Sequence, residues 1–310
     1  MVSRYGPRIA PVTFVTGANT AVGRAISLHL AQLGHRVFAG MHPPPSGCVG
    51  QRAEAIRLLA DAAADGTVIS PVALELTDAQ SCVNALAFVE ASAGPVDVLI
   101  NHAGMGSMGS IEDTNIDSMR LLLETNVVGP ARLCRLVLPS MRRRRAGTII
   151  NISSAAGRVC HPCNGGYSAS KWALDAVSEC MAIEGHRFNL NVVVLELGGV
   201  AAPGWDLHPA DSDTQASICA PTNHNFDPAS MTGRYAELHS RFDRYRTELL
   251  SEPTLERSVR CAEAVERALL SCESESAQFL RWQVDSCPAT LHAFTGSLRA
   301  TNVAVYAGGP

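Results

Sequence analysis

The chain has 310 residues, of which 46% are apolar and 17% are charged, a composition that excludes a disordered protein. Its length suits one large domain or two small ones, and its net charge of −4 argues against a general nucleic-acid binder. The polar start lacks the apolar core of a signal peptide, and no run reaches about 18 uninterrupted apolar residues. We therefore expect an intracellular, cytoplasmic protein without a membrane span.

Strand and helix patterns alternate along the chain. Short apolar runs predict strands at residues 11–16, 36–40, 68–74, 96–100, 148–152, 192–197 and 279–284. Apolar residues at helical spacing predict helices at 21–33, 53–64, 78–93 (capped by Thr77), 119–141, 167–183 and 258–270. This order predicts an α/β fold with one doubly wound, parallel, Rossmann-like sheet of about seven strands, flanked by helices on both faces.

The turn after the first predicted strand is built from small residues. Thr16 to Gly23 reads T-G-A-N-T-A-V-G, and such a turn lets a phosphate approach the backbone at a helix start. Its spacing is not that of the G-x-G-x-x-G fingerprint, and a tight turn without a ligand would look similar. Its position favours a ligand site, because ligands of doubly wound sheets bind outside the carboxyl ends of the strands.

A second motif combines a phenol with an ammonium group. Tyr167 and Lys171 are four residues apart in a predicted helix, so both side chains can enter one pocket. A phenol has a reference pKa of about 10, and a nearby cation lowers that pKa. An exposed Tyr/Lys pair is the alternative, but Ser154 ends the fifth strand with a hydroxyl that can donate to a substrate oxygen. Asn126 lies in a mostly apolar helix, where a buried amide needs partners.

Taken together, these motifs resemble the short-chain dehydrogenase/reductase family over residues 11 to about 285. The matching segments are T-G-x-x-x-A-V-G, Asn101-His102-Ala103-Gly104, Asn126, Ser154, Y-x-x-x-K and Leu197-Gly198-Gly199-Val200. The resemblance implies that Tyr167 is the proton donor for ketone reduction, or the base for alcohol oxidation. Lys171 would lower the pKa of Tyr167 and bind the nicotinamide ribose, and Ser154 would polarise the substrate oxygen. Asn126 would hold a water molecule that completes the proton relay.

The same resemblance implies where the cofactor binds. The implied contacts are Gly17, Asn19, Thr20, Val22, Gly23, Asn101, Ala103, Gly104, Tyr167, Lys171, Gly198 and Val200, with Glu75 and the Leu76 backbone at the adenine. The sequence departs from the family pattern at Ala21 (usually Gly), Leu197 (usually Pro) and Ala202 (usually Thr), which bears on cofactor geometry and affinity.

The second strand bears on the choice of nicotinamide cofactor. An acidic residue at its end would bind the ribose 2′-hydroxyl of NAD, and residues 37–45 contain none. His42 stands where many family members carry Arg, so we expect NADP(H) to be favoured over NAD(H). The alternative is that His42 is simply an exposed loop histidine.

A Cys-His-Pro-Cys segment lies between Ser154 and Tyr167, where the family places a loop of the substrate pocket. The expected substrate contacts are Ser154, Cys160, His161, Tyr167 and Trp205. Cys160 and Cys163 have C-x-x-C spacing, which leaves a redox pair open, but no further close ligands suggest a metal site.

The sequence therefore predicts an NADP(H)-preferring oxidoreductase that interconverts a ketone or aldehyde and an alcohol on a medium-sized, rather hydrophobic small molecule. A non-redox reaction on the same fold (isomerisation, dehydration or cyclisation) and a nucleotide-sensing protein are the alternatives. We expect an arm at residues 1–10, one domain at 11–288 with a substrate lid at about 201–252, and a tail at 289–310. By resemblance, the chain would form a homodimer or homotetramer through helices 119–141 and 167–183.

Overall fold

One parallel sheet organises the chain. A computed structural model describes residues 10–42, 49–107, 109–160, 163–198, 254–274 and 279–284. The strands are β1 (Val12–Thr16), β2 (Arg36–Met41), β3 (Ile69–Ala73), β4 (Val98–Asn101), β5 (Gly147–Ser154), β6 (Leu190–Leu197) and β7 (Phe279–Val284). They pair in parallel in the order β3-β2-β1-β4-β5-β6-β7, which confirms the predicted doubly wound sheet of about seven strands.

Helices cover both faces of the sheet. They are α1 (Ala21–Gln32), α2 (Val49–Ala64), α3 (Ala79–Ala93), α4 (Ile116–Leu123), α5 (Gly129–Arg144), α6 (Gly165–Gly185) and α7 (Thr254–Ser274). One buried apolar cluster joins α1, α2 and α7 to one face, and a second joins α3 and α5 to the other. Among the described residues, no helix has the length and apolar character needed to cross a bilayer.

The order of the strands locates the ligand site. The chain winds outward from β1 to β3 and then returns to place β4 on the other side of β1. The carboxyl ends of β1 and β4 therefore flank the point where the winding reverses, which is where doubly wound sheets bind ligands. The turn after β1 and the Asn101-His102-Ala103-Gly104 segment after β4 both lie there.

Three predicted boundaries were wrong. The single helix at 119–141 is two helices, α4 and α5, joined by a π-helical turn at Glu124–Val128. The helix that was predicted to begin at residue 53 begins at Val49, because its first turn does not show the apolar spacing of a helix. The cap of α3 is Asp78, whose carboxylate accepts from the Gln80 N–H at 2.9 Å, while Thr77 instead donates to Glu75.

The predicted lid at 201–252 and the tail at 289–310 lie outside the described residues, as does the arm apart from Ala10. The division of the chain into arm, domain, lid and tail therefore stays a prediction. The described residues comprise the sheet and its helices, and these elements position the site.

Candidate active site

The turn between β1 and α1 is shaped by two glycines. Gly17 has a φ of +69°, and a Cβ atom there would lie 2.8 Å from the Cα of Ala103. A Cβ at Gly23 would lie 2.2 Å from the carbonyl oxygen of Gly17. Side chains at either position would therefore collide with backbone, which is why this turn keeps both glycines.

The start of α1 is suited to an anion. Thr20 caps the helix, because its hydroxyl accepts from the Gly23 N–H at 3.1 Å and donates to the Gly17 carbonyl at 2.9 Å. No acidic residue lies in the first turn. The remaining N–H groups at a helix start have no intrahelical acceptor and attract negative charge. The tight backbone cradle and this helix start fit the pyrophosphate of a dinucleotide.

The segment after β4 is tied to the same turn. The N–H groups of His102 and Ala103 donate to the Thr16 hydroxyl at 3.0 and 2.9 Å. The His102 Nε2 atom lies 2.7 Å from the Thr20 hydroxyl oxygen. Burial, with the charge of Lys171 as a smaller cause, lowers the pKa of His102 to about 4, so the ring is neutral at neutral pH.

The Asn101 side chain is tied into the sheet. Its side chain is buried and donates to the Asn151 amide oxygen at 2.8 Å. Asn151 in turn donates to the Ser178 hydroxyl of α6 at 2.7 Å. These contacts fix the end of β4, and the predicted cofactor role of Asn101 stays a prediction.

The structure brings Ser154, Tyr167 and Lys171 together. Tyr167 is 6% exposed, and its side chain is hydrogen-bonded to that of Ser154 at the end of β5. The Lys171 Nζ atom lies 5.6 Å from the centre of the Tyr167 ring and donates to the Ile152 carbonyl at 3.0 Å. The three groups thus share one buried pocket at the carboxyl end of the sheet.

Asn126 lies in the π-helical turn, beside this pocket. Its amide oxygen accepts from the Met105 N–H at 2.8 Å, and its amide nitrogen donates to the Met105 carbonyl at 2.8 Å and to the Ser170 hydroxyl at 3.0 Å. The side chain, 1% exposed, therefore ties the loop after β4 to α6. This bridging role adds to the relay role that the sequence predicted.

Gly104 lies beside both Asn126 and Lys171. A Cβ atom at Gly104 would lie 3.0 Å from the Asn126 amide oxygen and 3.8 Å from the Lys171 Nζ atom. The glycine therefore leaves the space beside the ammonium group open.

Burial controls the electrostatics of the pocket. It raises the pKa of Tyr167 to about 12, against the opposing effect of the Ser154 hydrogen bond. It lowers the pKa of Lys171 to about 8, against the opposing charge of Asp175. Desolvation thus sets the net direction for Tyr167, and the lowering by Lys171 that the sequence predicted stays a prediction.

Lysine usage is a further signal in the sequence. Lysine and arginine total 25 in the chain, and Lys171 is the only lysine. Arginine serves at every other basic position, including the exposed end of α5. A planar guanidinium cannot replace a compact ammonium group in a buried pocket, so composition alone could have singled out this residue.

The residues predicted at the adenine end engage each other. His42, after β2, forms an ion pair with Glu75, after β3. Glu75 also accepts from the N–H and hydroxyl groups of Thr77 at 2.9 and 2.7 Å. The His42 hydrogen bond is the largest cause that lowers the pKa of Glu75 to about 2. The Leu76 carbonyl accepts from Arg132 at 2.8 Å, so protein partners already use this carbonyl and the Glu75 carboxylate.

The remaining predicted contacts are less constrained. Gly198 is buried after β6, Val22 is 4% exposed and Asn19 is half-buried. Cys160 is exposed and Cys163 is buried, and both are free thiols. The predicted residues His161, Val200 and Trp205, and the departure at Ala202, lie outside the described residues. In the part of the chain that the structure describes, no cluster of three or more His, Cys, Asp or Glu side chains could hold a metal ion.

Replacing Gly23 with Ala tests the phosphate-binding turn. Because the new methyl group would lie 2.2 Å from the Gly17 carbonyl oxygen, we expect a loss of about 1–3 kcal/mol in unfolding free energy and weaker dinucleotide binding. Thermal unfolding and a cofactor titration would measure both. Gly66→Ala is the control: Gly66 has a φ of +71° and open space around it, so only stability should fall. Unchanged cofactor affinity in Gly23→Ala would contradict this assignment.

Comparison with known proteins gives the family context. The short chain dehydrogenase family model matches residues 11–211. The 3-ketodihydrosphingosine reductase of Bacteroides thetaiotaomicron is 34% identical over 187 residues, which cover 60% of this chain and 63% of the reductase. The matches span less than two thirds of the length of the first curated relatives, at 63%, 65% and 66%.

Solved structures agree with the fold. A short-chain dehydrogenase from Streptomyces avermitilis superposes with a TM-score of 0.70 at 29% identity, covering 93% of this chain and 92% of that one. An actinorhodin polyketide ketoreductase superposes with a TM-score of 0.67 at 22% identity, covering 92% and 97%. The second likeness is one of fold alone.

Proposed function

This chain belongs to the short-chain dehydrogenase family, and from that premise we propose that it is an NAD(P)(H)-dependent oxidoreductase that interconverts a carbonyl group and an alcohol. The observation that carries the proposal is the buried Ser154–Tyr167–Lys171 group at the carboxyl end of the sheet, beside a turn that fits a pyrophosphate. A sensor of nucleotides would have no need for a phenol and the chain's only lysine in one pocket.

In the proposed reaction, Tyr167 transfers the proton. When bound, the nicotinamide supplies or accepts the hydride. Ser154, hydrogen-bonded to Tyr167, is placed to donate to the substrate oxygen and to orient it toward the phenol. The ammonium group of Lys171 stabilises the phenolate that forms when Tyr167 gives up its proton.

The ionisation of Tyr167 favours the direction of reduction. With a pKa of about 12, the phenol is protonated at neutral pH and ready to act as a general acid. Alcohol oxidation needs the phenolate as a base, so we expect its rate to rise toward alkaline pH. We propose carbonyl reduction as the main activity at neutral pH.

We further propose a preference for NADP(H) over NAD(H). Residues 37–45 contain no acidic residue that could repel a 2′-phosphate, and the carboxylate that lies beside this strand end, Glu75, is paired with His42. The partly exposed imidazole of His42 can donate to a phosphate oxygen. The carboxylate of Glu75 holds the ring at the strand end.

A hydrophobic small molecule is the proposed substrate. The Tyr167 ring packs with the buried Leu122 and Ala156, and the partly buried Met105 lies against them, so the ring side of the phenol is apolar. The reductase relative from Bacteroides thetaiotaomicron is named for a lipid ketone, which agrees with this class. The predicted lid at 201–252 would supply the rest of the pocket.

By the family resemblance, we also propose a homodimer or homotetramer. α5 and α6 border an apolar groove lined by Leu138, Val177 and Met181, among others. Trp172 and Ile183 of α6 are exposed. The groove and these side chains form a surface that a second copy of the chain could cover.

A titration with NADPH and NADH tests the cofactor proposal. We expect NADPH to bind about tenfold or more tightly, since a hydrogen bond to a charged group contributes about 1.5–3 kcal/mol. His42→Ala should bring the two affinities close together without weakening NADH binding. The matched control is His29→Ala, because His29 forms a similar pair with Glu266, at 2.7 Å, between α1 and α7. Tighter NADH binding in the unaltered chain would overturn the preference, and binding of neither would overturn the proposed function.

A further inference from the structure

A cluster of charged side chains lies next to α6, the helix that carries Tyr167 and Lys171, and the proposed mechanism does not use this cluster. Asp175 of α6 and Glu196 of β6 are 3% and 2% exposed. Arg281 of β7 bridges them, with its Nη2 atom 3.2 Å from Asp175 Oδ2 and its Nε atom 3.1 Å from Glu196 Oε1. Arg158 also donates to Glu196 at 2.5 Å. Two buried carboxylates are thus held by two guanidinium groups, and we name these four residues the Asp175 cluster.

The Asp175 cluster reaches the active site through α6. Asp175 follows Lys171 by four residues, so the two side chains lie on the same face of the helix, one turn apart. The turn after β5 encloses Asp175 from another side, because a Cβ atom at Gly157 would lie 2.7 Å from Asp175 Oδ2. The carboxylate is therefore enclosed between α6, the turn after β5 and β7, with the ammonium group of Lys171 as its neighbour toward the pocket.

We propose that Asp175 is a positioning residue of the active site, whose carboxylate keeps Lys171 protonated, and that Arg281 of β7 keeps this carboxylate ionised. The inference rests on the proposed function, in which the Lys171 ammonium group stabilises the Tyr167 phenolate. A buried ammonium group loses hydration, so it stays charged only where an anion compensates. Among the described residues, Asp175 is the anion that opposes the effect of burial on Lys171.

The charges that face each group set the pH range of this effect. Lys171 faces Tyr167 and Asp175 on α6 and the neutral ring of His102 after β4. Asp175 faces Ser153, whose hydrogen bond most favours the ionised form, then Arg281 and Lys171, whose charges also favour it. Glu196 disfavours the ionised form. Burial is the largest cause, and it raises the pKa of Asp175 to about 6. Asp175 is thus ionised at pH 7 and above, where Lys171 would otherwise begin to lose its proton.

The single lysine makes the test direct. Protein grown with lysine carrying 13C at the ε carbon would show one lysine side-chain resonance, that of Lys171. We expect the titration of this resonance to move down by about one pH unit in Asp175→Asn, since a close opposite charge shifts a pKa by about 1–3 units. The alkaline limb of the kcat profile for carbonyl reduction should move with it. At pH 5 the variant and the unaltered chain should differ little, because Asp175 of the unaltered chain is then mostly protonated and carries no charge.

Two further variants separate this role from a structural one. Asp97→Asn removes another buried carboxylate, which pairs with Arg144 at 2.6 Å at the opposite end of the sheet. We expect it to lower stability without moving the Lys171 titration. Asp175→Glu keeps the negative charge, so its Lys171 resonance should titrate close to the pH found for the unaltered chain. If Asp175→Asn does not fold, the double variant D175N/R281Q removes both partners of the ion pair. The pH at which Lys171 titrates should still be lower in this double variant than in the unaltered chain.

The outcomes distinguish this inference from the proposed function. A Lys171 resonance that titrates at the same pH with and without the Asp175 carboxylate overturns the inference, whatever the activity. Activity retained in Tyr167→Phe overturns the proposed function instead, and the resonance then decides the role of Asp175 independently. A downward shift in Asp175→Asn, absent in Asp97→Asn, supports the inference.

Discussion

Tyr167→Phe is expected to lower kcat by about 10²–10⁴-fold, the usual contribution of a general acid or base, while cofactor affinity stays nearly unchanged. Only the hydroxyl group is lost, so the ring still packs with Leu122 and Ala156. The missing hydrogen bond to Ser154 should cost about 1 kcal/mol in unfolding free energy. Steady-state kinetics, a cofactor titration and thermal unfolding would separate these three quantities.

The control for this variant lies on the same helix. Trp172 of α6 is 49% exposed, so Trp172→Phe disturbs the helix surface without entering the pocket and should leave kcat unchanged. A Tyr167→Phe variant that reduces a carbonyl substrate at the normal rate would remove Tyr167 from the mechanism. Loss of both activity and cofactor binding would point to a damaged fold rather than a missing proton donor.

Lys171→Arg is the second variant with a large expected effect, although it keeps the positive charge. Lys171 is 6% exposed and its ammonium group donates to the Ile152 carbonyl at 3.0 Å. A guanidinium is longer and planar, so the charge would move by an ångström or more from its place beside Tyr167. A misplacement of that size can lower the rate by about 10²-fold, and we expect kcat for reduction to fall accordingly.

The same variant also checks the assignment of the lysine resonance. Because the chain has no other lysine, the 13C-labelled lysine signal must disappear in Lys171→Arg. Arg120→Lys, at an exposed ion pair on α4, offers the matched control, since it exchanges the same two residue types outside the pocket. Full activity in Lys171→Arg would show that any cation suffices at this position.

The repeating features of the fold could be predicted from the sequence. Each of the seven strands contains a short apolar run, and the helical patterns between these runs make the strands recognisable. Both boundaries of β7 were predicted correctly. The turn after β1, Ser154, Tyr167 and Lys171 all fall at the strand ends or helix where the motifs placed them. Their roles remain proposals, but their proximity follows from a parallel sheet that gathers its carboxyl ends at one edge.

Interactions between distant segments could not be predicted. The ion pair of His42 with Glu75 joins the ends of two strands, and the Asp175 cluster joins α6, β6 and β7. Neither has a local pattern in the sequence. The burial of Tyr167 has no local pattern either: spacing reveals a neighbouring cation, but the extent of burial, which raises the pKa of the phenol, emerges only from the folded chain.

The π-helical turn at Glu124–Val128 accommodates about one extra residue between α4 and α5. In a regular α-helix, positions four apart drift by about 40° around the axis, so Leu122, Asn126 and Pro130 would progressively leave a common side. The wider turn absorbs this drift, and all three residues are buried. Because a π-helical turn holds about one residue more than the same length of regular α-helix, deleting one residue here would restore a regular helix and leave the rotational phase of α5 nearly unchanged. The extra residue thus lies in the segment that carries Asn126, and the apolar face of α5 keeps its orientation with or without it.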